Sequence, residues 1–150
     1  MENVIVREAS NKDVPIILGL LYDLGRPKPQ KDSDVDTFRK LITKYISDSD
    51  KIILVAIIDD MKIVGMTSVM YLPRLNQISL EMYIPELIVD EKYQNQGIGK
   101  KLIHFCIALA KKKQCHRIRL ESGNQRKDSH QFYEHLGFEQ CALSFTQNLD

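Results

Sequence analysis

The stretch Asp90-Glu-Lys-Tyr-Gln94-Asn-Gln-Gly97-Ile-Gly99-Lys-Lys-Leu-Ile103 decides how this chain is read. It follows an apolar run, Leu87-Ile88-Val89, and leads directly into a long amphipathic segment. A strand, a turn and a helix in that order put glycines at the mouth of a helix. There the backbone can approach a ligand closely, and the first turn offers N–H groups with no partner inside the helix. Together with the positive end of the helix dipole, those donors suit a phosphate or pyrophosphate.

Three glycine motifs compete. A dinucleotide fingerprint needs G-x-G-x-x-G, but Leu102 stands where the third glycine belongs. A P-loop needs G-x-x-x-x-G-K-[ST], and Gln94 and Lys101 occupy its first glycine and its hydroxyl position. What remains is Gln94-x-x-Gly97-x-Gly99 after a strand. Alone, this hexapeptide also fits a tight turn with no ligand. A second block near the C-terminus, Asp128-Ser-His-Gln-Phe-Tyr133-Glu-His-Leu-Gly137-Phe138-Glu, narrows the choice. The first block resembles the acyl-CoA pyrophosphate loop of the GNAT N-acetyltransferase superfamily, Arg/Gln-x-x-Gly-x-Gly/Ala. The second resembles that family's closing motif, Ala-x-x-Phe-Tyr-x-x-x-Gly-Phe, with Ser129 in place of the alanine. They stand in the family's order and at about its usual separation.

Composition fits one cytosolic enzyme domain. The 150 residues suit a single domain, 1–150, with its own core. A net charge of +1 gives no reason to expect nucleic-acid or membrane-surface binding. No apolar run reaches a membrane span, and Met-Glu-Asn-Val-Ile-Val-Arg does not read as a signal peptide, so a cytoplasmic location is expected. Cys106, Cys115 and Cys141 are odd in number and lack ligand spacing, which predicts reduced thiols and no metal.

Periodicity supplies the remaining elements. Residues 3–7 alternate as a strand, and a helix capped at Asn11 or Asp13 carries Ile17, Leu20, Leu21 and Leu24 before Gly25 stops it. A basic, proline-broken loop holds Arg26, Lys28 and Lys31. Ser33 or Asp34 then caps a second helix with Phe38, Leu41, Ile42 and Tyr45 on one face. Strands at 52–58 and 62–71 meet across Asp59-Asp60, a hairpin signal, and Pro73 ends the second. A fourth strand at about 79–89 contains Pro85, which predicts a bulge or kink. The helix from Ile98 to about Lys112 turns Ile98, Leu102, Phe105, Cys106 and Leu109 inward. A strand at 116–121, a short helix from Asp128 and a closing strand at 139–145 complete the order βααβββαβαβ. The expected fold is α+β, a mixed and mostly antiparallel sheet with helices on both faces. The GNAT fold has this order, with its fourth and fifth strands splayed.

The resemblance implies an acetyl-CoA-dependent N-acetyltransferase that moves acetyl from the thioester to a primary amine by direct attack. Pantetheine would pair with Leu87, Ile88 and Val89 at the splay, and Gln94, Asn95, Gln96, Gly97, Ile98, Gly99 and Lys100 would wrap the pyrophosphate. Lys101 belongs either to that charge or to a solvated helix face. Asn124 matches the family's pantetheine asparagine, although it lies two residues farther from the Phe-Tyr pair than usual. Glu86, directly before Leu-Ile-Val, is the expected base through a water, with Glu81 as a second candidate. Tyr133 is the expected proton donor to the leaving thiolate; as a core tyrosine it would show the same pattern.

The acceptor is expected to be a small-molecule amine. Arg26, Lys28, Lys31 and Arg74, beside Tyr22 and Tyr71, would suit an acidic group on it, or the loop is basic only because it is solvated. The run Arg126-Lys-Asp-Ser-His-Gln-Phe-Tyr133 and the ending Ser144-Phe-Thr-Gln-Asn-Leu149 are similar to aminoalkylphosphonate N-acetyltransferases. A non-catalytic acyl-CoA-binding regulatory module is the alternative from another class. The assembly is expected to be a monomer or homodimer.

Overall fold

Apolar runs bounded by turn residues become the strands of a sheet, and the amphipathic stretches become helices. The computed structural model describes residues 3–149. By its internal contacts the chain divides into two units, Met1–Arg119 and Leu120–Asp150. The first holds β1 (Ile5–Glu8), α1 (Val14–Asp23), α2 (Asp32–Ser47), β2 (Lys51–Ile58), β3 (Lys62–Leu72), β4 (Glu81–Ile84), β5 (Leu87–Val89) and α3 (Ile98–Lys112). β6 (Arg117–Leu120) follows, and the second unit contains α4 (Lys127–His135).

The sheet runs β1-β2-β3-β4-β6, with β5 on β3 beside that path. The β1–β2, β2–β3, β3–β4 and β3–β5 pairs are all antiparallel. Asp59 and Asp60 turn β2 into β3 with φ of 52° and 62°, the left-handed pair that a tight hairpin requires. Gly25, at φ 97°, ends α1 as expected.

Helices cover both faces. Val14, Ile17, Leu18, Leu20 and Ile42 from α1 and α2 form one cluster with Ile53, Val55, Ile57, Ile63 and Met66. Gly65, next to Met66, faces the other way: a Cβ there would meet Ile98 and Leu102 of α3 at 3.4 Å. Successive strand residues point to opposite faces, so α3 lies across the sheet from α1 and α2. Each large apolar side chain buried this way contributes about 1.5–3 kcal/mol.

Five expectations need correction. Leu41, set on one face of α2 with Phe38, Ile42 and Tyr45, is 59% exposed. The strand expected at 79–89 is two short strands, β4 and β5. The closing strand at 139–145 is absent among the described residues: the segment forms no ladder, and Leu143 and Phe145 are 72% and 91% exposed. Alternation makes a strand only where a partner covers one face. In α3 the buried stripe is Ile98, Leu102, Ile103, Cys106 and Ala110, so it leans toward Ile103, and Phe105 sits at the surface. Tyr71, grouped with the acceptor loops by sequence, is buried, and burial lifts its phenol pKa to about 12; Lys113, just past α3, stands over its ring at 5.4 Å. No helix among the described residues is long and apolar enough to cross a membrane.

Candidate active site

Pro85 and Glu86 separate β4 from β5, yet both strands pair with β3. Between the Thr67–Leu87 and Met70–Tyr83 pairs the register slips, so Ser68 and Val69 face Ile84, Pro85 and Glu86. One extra residue on one side is a β-bulge, which bends the strand and re-aims its side chains. Proline is tolerated at such a point because it has no N–H to lose from a ladder.

The bulge opens an edge. β4 has β6 on its far side, whereas β5 has no second strand among the described residues. Ser68 N–H donates to the Glu86 carbonyl at 3.0 Å and Asp90 N–H donates to the Val64 carbonyl at 2.7 Å. Residues 86, 88 and 90 therefore aim their backbone groups at β3. Leu87 and Val89 alternate with them and aim theirs at the open edge. The Val89 carbonyl there accepts from Gln94 Nε2 at 3.0 Å.

Glu86 is held at the start of this edge. Its N–H donates to Ser68 Oγ at 3.0 Å, and the Ser68 hydroxyl donates to Oε1 in a short bond. Arg26 Nη2 donates to Oε2 at 2.7 Å and reaches the Pro85 carbonyl at 3.4 Å. The Thr67 hydroxyl donates to the Glu86 carbonyl at 2.8 Å. Tyr45 stands nearby, its O–H donating to the Val69 carbonyl at 3.0 Å. Burial, and after it the negative charge of Glu86, push this phenol far above its ordinary range. The Glu86 side chain keeps 20% exposure, with Ser68 on one carboxylate oxygen and Arg26 on the other.

Glu81, the second candidate base, sits in a different environment. It is fully buried on β4, with Arg117 Nε at 2.5 Å and Arg119 Nε at 3.2 Å from Oε1, and Arg74 Nη1 at 3.8 Å from Oε2. Burial pushes its pKa up, but the bonds and charges of Arg117 and Arg119 outweigh that and hold it below the carboxylate range. A carboxylate enclosed by three guanidinium groups is a poor proton acceptor for a substrate. Arg74, one of the expected acceptor-loop cations, faces Glu81 from the half-exposed side without a hydrogen bond to it.

Past β5 the chain makes the glycine turn. Asn95 and Gly97 take left-handed φ of 62° and 83°, and Gly97 is the N-cap of α3 without any side-chain cap. The first N–H groups of α3 are therefore free to serve something else. Gln94, Asn95, Gln96, Gly97 and Lys100 are exposed, Gly99 is half-buried and Ile98 is buried beneath them. A Cβ on Gly97 would meet nothing within 4 Å, which leaves open space above the turn. Lys101 turns away, donating from Nζ to the Val4 carbonyl at 2.7 Å.

The second unit places Tyr133 on α4, half-buried, with its ring edge-on to Phe132 at 5.1 Å and to Phe138 at 5.8 Å. Phe138 N–H donates to the Tyr133 carbonyl and Gly137 N–H to that of Glu134, both at 3.0 Å, with Gly137 at φ 93°. This is a Schellman helix end, with glycine at the left-handed position. Asn124 lies exposed in the turn before α4.

The sequence pattern gives Ser68 and Thr67 no role, sets Tyr45 only on a helix face, and does not link Arg26 to Glu86. A signal existed for the first two: a Thr-Ser pair interrupts the otherwise apolar strand 63–71. Among the described residues no group of His, Cys, Asp and Glu could hold a metal.

Residues 18–138 match the model of the Acetyltransferase (GNAT) family. Over 78 residues, 51% of each chain, the sequence is 33% identical to a glucosamine 6-phosphate N-acetyltransferase of Trypanosoma brucei brucei. It is 39% identical over 57 residues to an uncharacterized N-acetyltransferase of Methanocaldococcus jannaschii, covering 38% of this chain and 25% of that one. The matches thus span about half and a quarter of these relatives. Among solved structures, a transcriptional regulator from Bacillus halodurans superposes with a TM-score of 0.88 at 28% identity, covering 98% of this chain and 100% of that one. A glucosamine-6-phosphate N-acetyltransferase from Arabidopsis thaliana gives 0.81 at 22%, covering 99% and 100%, a likeness of fold. The chain belongs to the GNAT acetyltransferase family.

Proposed function

We propose that this chain is an acetyl-CoA-dependent N-acetyltransferase acting on a primary amine of a small molecule. The observation that carries the reading is the open edge of β5 at Leu87 and Val89, running from Glu86 at one end to the Gln94–Lys100 turn at the other. Pantetheine is long, thin and amide-bearing, so it would pair with that edge as another strand does. The uncapped N–H groups at Gly97, Ile98 and Gly99 would take the pyrophosphate, with Lys100 adding charge. Asn124 would add a contact to the pantetheine arm.

The chemistry asks little beyond position and proton handling, because the thioester is already activated. Glu86 accepts a proton from the incoming ammonium through a water. The freed nitrogen attacks the thioester carbonyl, a C–N bond forms, and the C–S bond breaks as the tetrahedral intermediate collapses. Tyr133 gives a proton to the departing thiolate, and the second nitrogen proton, released as the amide forms, restores the tyrosine O–H. The products are the N-acetyl amide and CoA.

The relatives named for glucosamine 6-phosphate favour an acceptor that carries an acidic group beside its amine. A non-catalytic acyl-CoA-binding regulator is the second reading, favoured by the name of the Bacillus halodurans structure. A thiol-release screen with acetyl-CoA across small amines, amino acids, aminophosphonates and amino-sugar phosphates separates the two. Amine-dependent CoA release supports the transferase. CoA binding without release from any acceptor supports the regulator.

A further inference from the structure

Arg26 closes the exposed side of Glu86. Its Nη2 is 2.7 Å from Oε2, and the Ser68 hydroxyl already occupies Oε1, so an ammonium meets a carboxylate with a guanidinium on it. The Arg26 backbone is fixed, with its N–H donating to the Leu21 carbonyl at 3.1 Å directly after Gly25. Its side chain is 50% exposed and has the rotatable bonds to swing away. Lys28 and Lys31, on the same loop, are exposed and add positive charge.

We infer that Arg26 is the specificity-determining residue of the acceptor site, exchanging Glu86 for the acid group of the acceptor. This inference rests on the reading of Glu86 as base. A plain amine brings one more positive charge to a site where one carboxylate already faces one guanidinium. An amine with a carboxylate, phosphonate or phosphate a few bonds away brings its own counter-charge. Its acid group takes the Arg26 fork, for which a guanidinium offers five donors, and its ammonium faces the vacated Oε2 across the relaying water. Four charged groups then alternate in sign. Binding the acid and uncovering the base become one event, so acceptors without the acid are disfavoured at the step that readies Glu86.

The test uses matched acceptors: 2-aminoethylphosphonate against propylamine, and glucosamine 6-phosphate against glucosamine. Initial rates are read as CoA release by wild type, Arg26→Ala, Arg26→Lys and Glu86→Gln. Wild type should prefer the acid-bearing member of at least one pair by about ten- to a hundredfold in kcat/KM, the range of a charge-assisted hydrogen bond. Arg26→Ala should lower kcat/KM for that member by a similar factor while raising turnover of its uncharged partner a few-fold. Arg26→Lys should recover part of the preference. Equal losses on both members in Arg26→Ala would make Arg26 a loop strut and overturn the inference, as would a wild type that prefers the uncharged members. Failure of the base reading looks different, because Glu86→Gln would then retain wild-type turnover on both members.

Discussion

Ser68 and Glu86 are joined by three hydrogen bonds: backbone to backbone, Glu86 N–H to Ser68 Oγ, and Ser68 hydroxyl to the Glu86 carboxylate. Glu86 stands opposite Ser68 in the β5 register, at the last position before the slip at Pro85. Ser68→Ala removes both the orienting donor and the acceptor for the Glu86 N–H. Thermal unfolding should show a loss of about 1–3 kcal/mol for that unpaired amide. The turnover number should fall roughly tenfold with CoA affinity unchanged, and calorimetry together with steady-state rates checks both.

The turn before α3 carries a second expectation. A valine at Gly99 puts a branched side chain at the uncapped helix mouth, where the pyrophosphate is to lie. Gly99→Val should keep the circular dichroism of the parent and bind CoA at least tenfold more weakly. Unchanged calorimetric affinity in a folded variant would remove the turn from the binding site.

Tyr133→Phe keeps the edge-on packing with Phe132 and Phe138 but loses the O–H. Turnover should fall about ten- to a thousandfold, with CoA affinity preserved. Activity near that of the parent would make Tyr133 a packing residue.

Asp13 is buried and takes a two-pronged bond from Arg7, at 2.8 and 3.1 Å. That bond holds the Asp13 pKa down, helped by the Ser10 N–H and opposed by burial. A depressed folded pKa stabilises the protein above the unfolded value of about 3.9, and the gain fades as pH falls through the folded one. Asp13→Asn should therefore cost about 1–3 kcal/mol at pH 7 and progressively less below about pH 4. Denaturant melts across that range check the sign.

Much of this was legible in the sequence because the signals are local. The Asp59-Asp60 hairpin, the Gly25 and Gly137 helix ends, the Pro85 kink and the Gly97 turn each follow from a backbone preference of one or two residues. The stripe of α3 came out nearly right, and its error at Phe105 is one of rotation about the helix axis. What was illegible is long-range. Arg26 lies 60 residues from Glu86 in the chain, and no periodicity links a loop to a bulge. Glu81 looked like a second base because its three arginines lie on a loop and on β6. The segment 139–145 has a strand's alternation but no ladder, which no pattern within it reveals.

The central claim, that Glu86 relays the amine proton, is tested most directly by the pH profile of Glu86→Gln on a good acceptor. The amine arrives largely as ammonium at neutral pH and cannot attack until a proton leaves. Glutamine keeps the shape of the side chain but cannot accept that proton. CoA affinity should stay intact, and kcat should fall about a hundredfold or more near pH 7. Raising the pH, which frees the amine in solution, should restore part of the loss. The same relative deficit at every pH, or no deficit, would contradict the account.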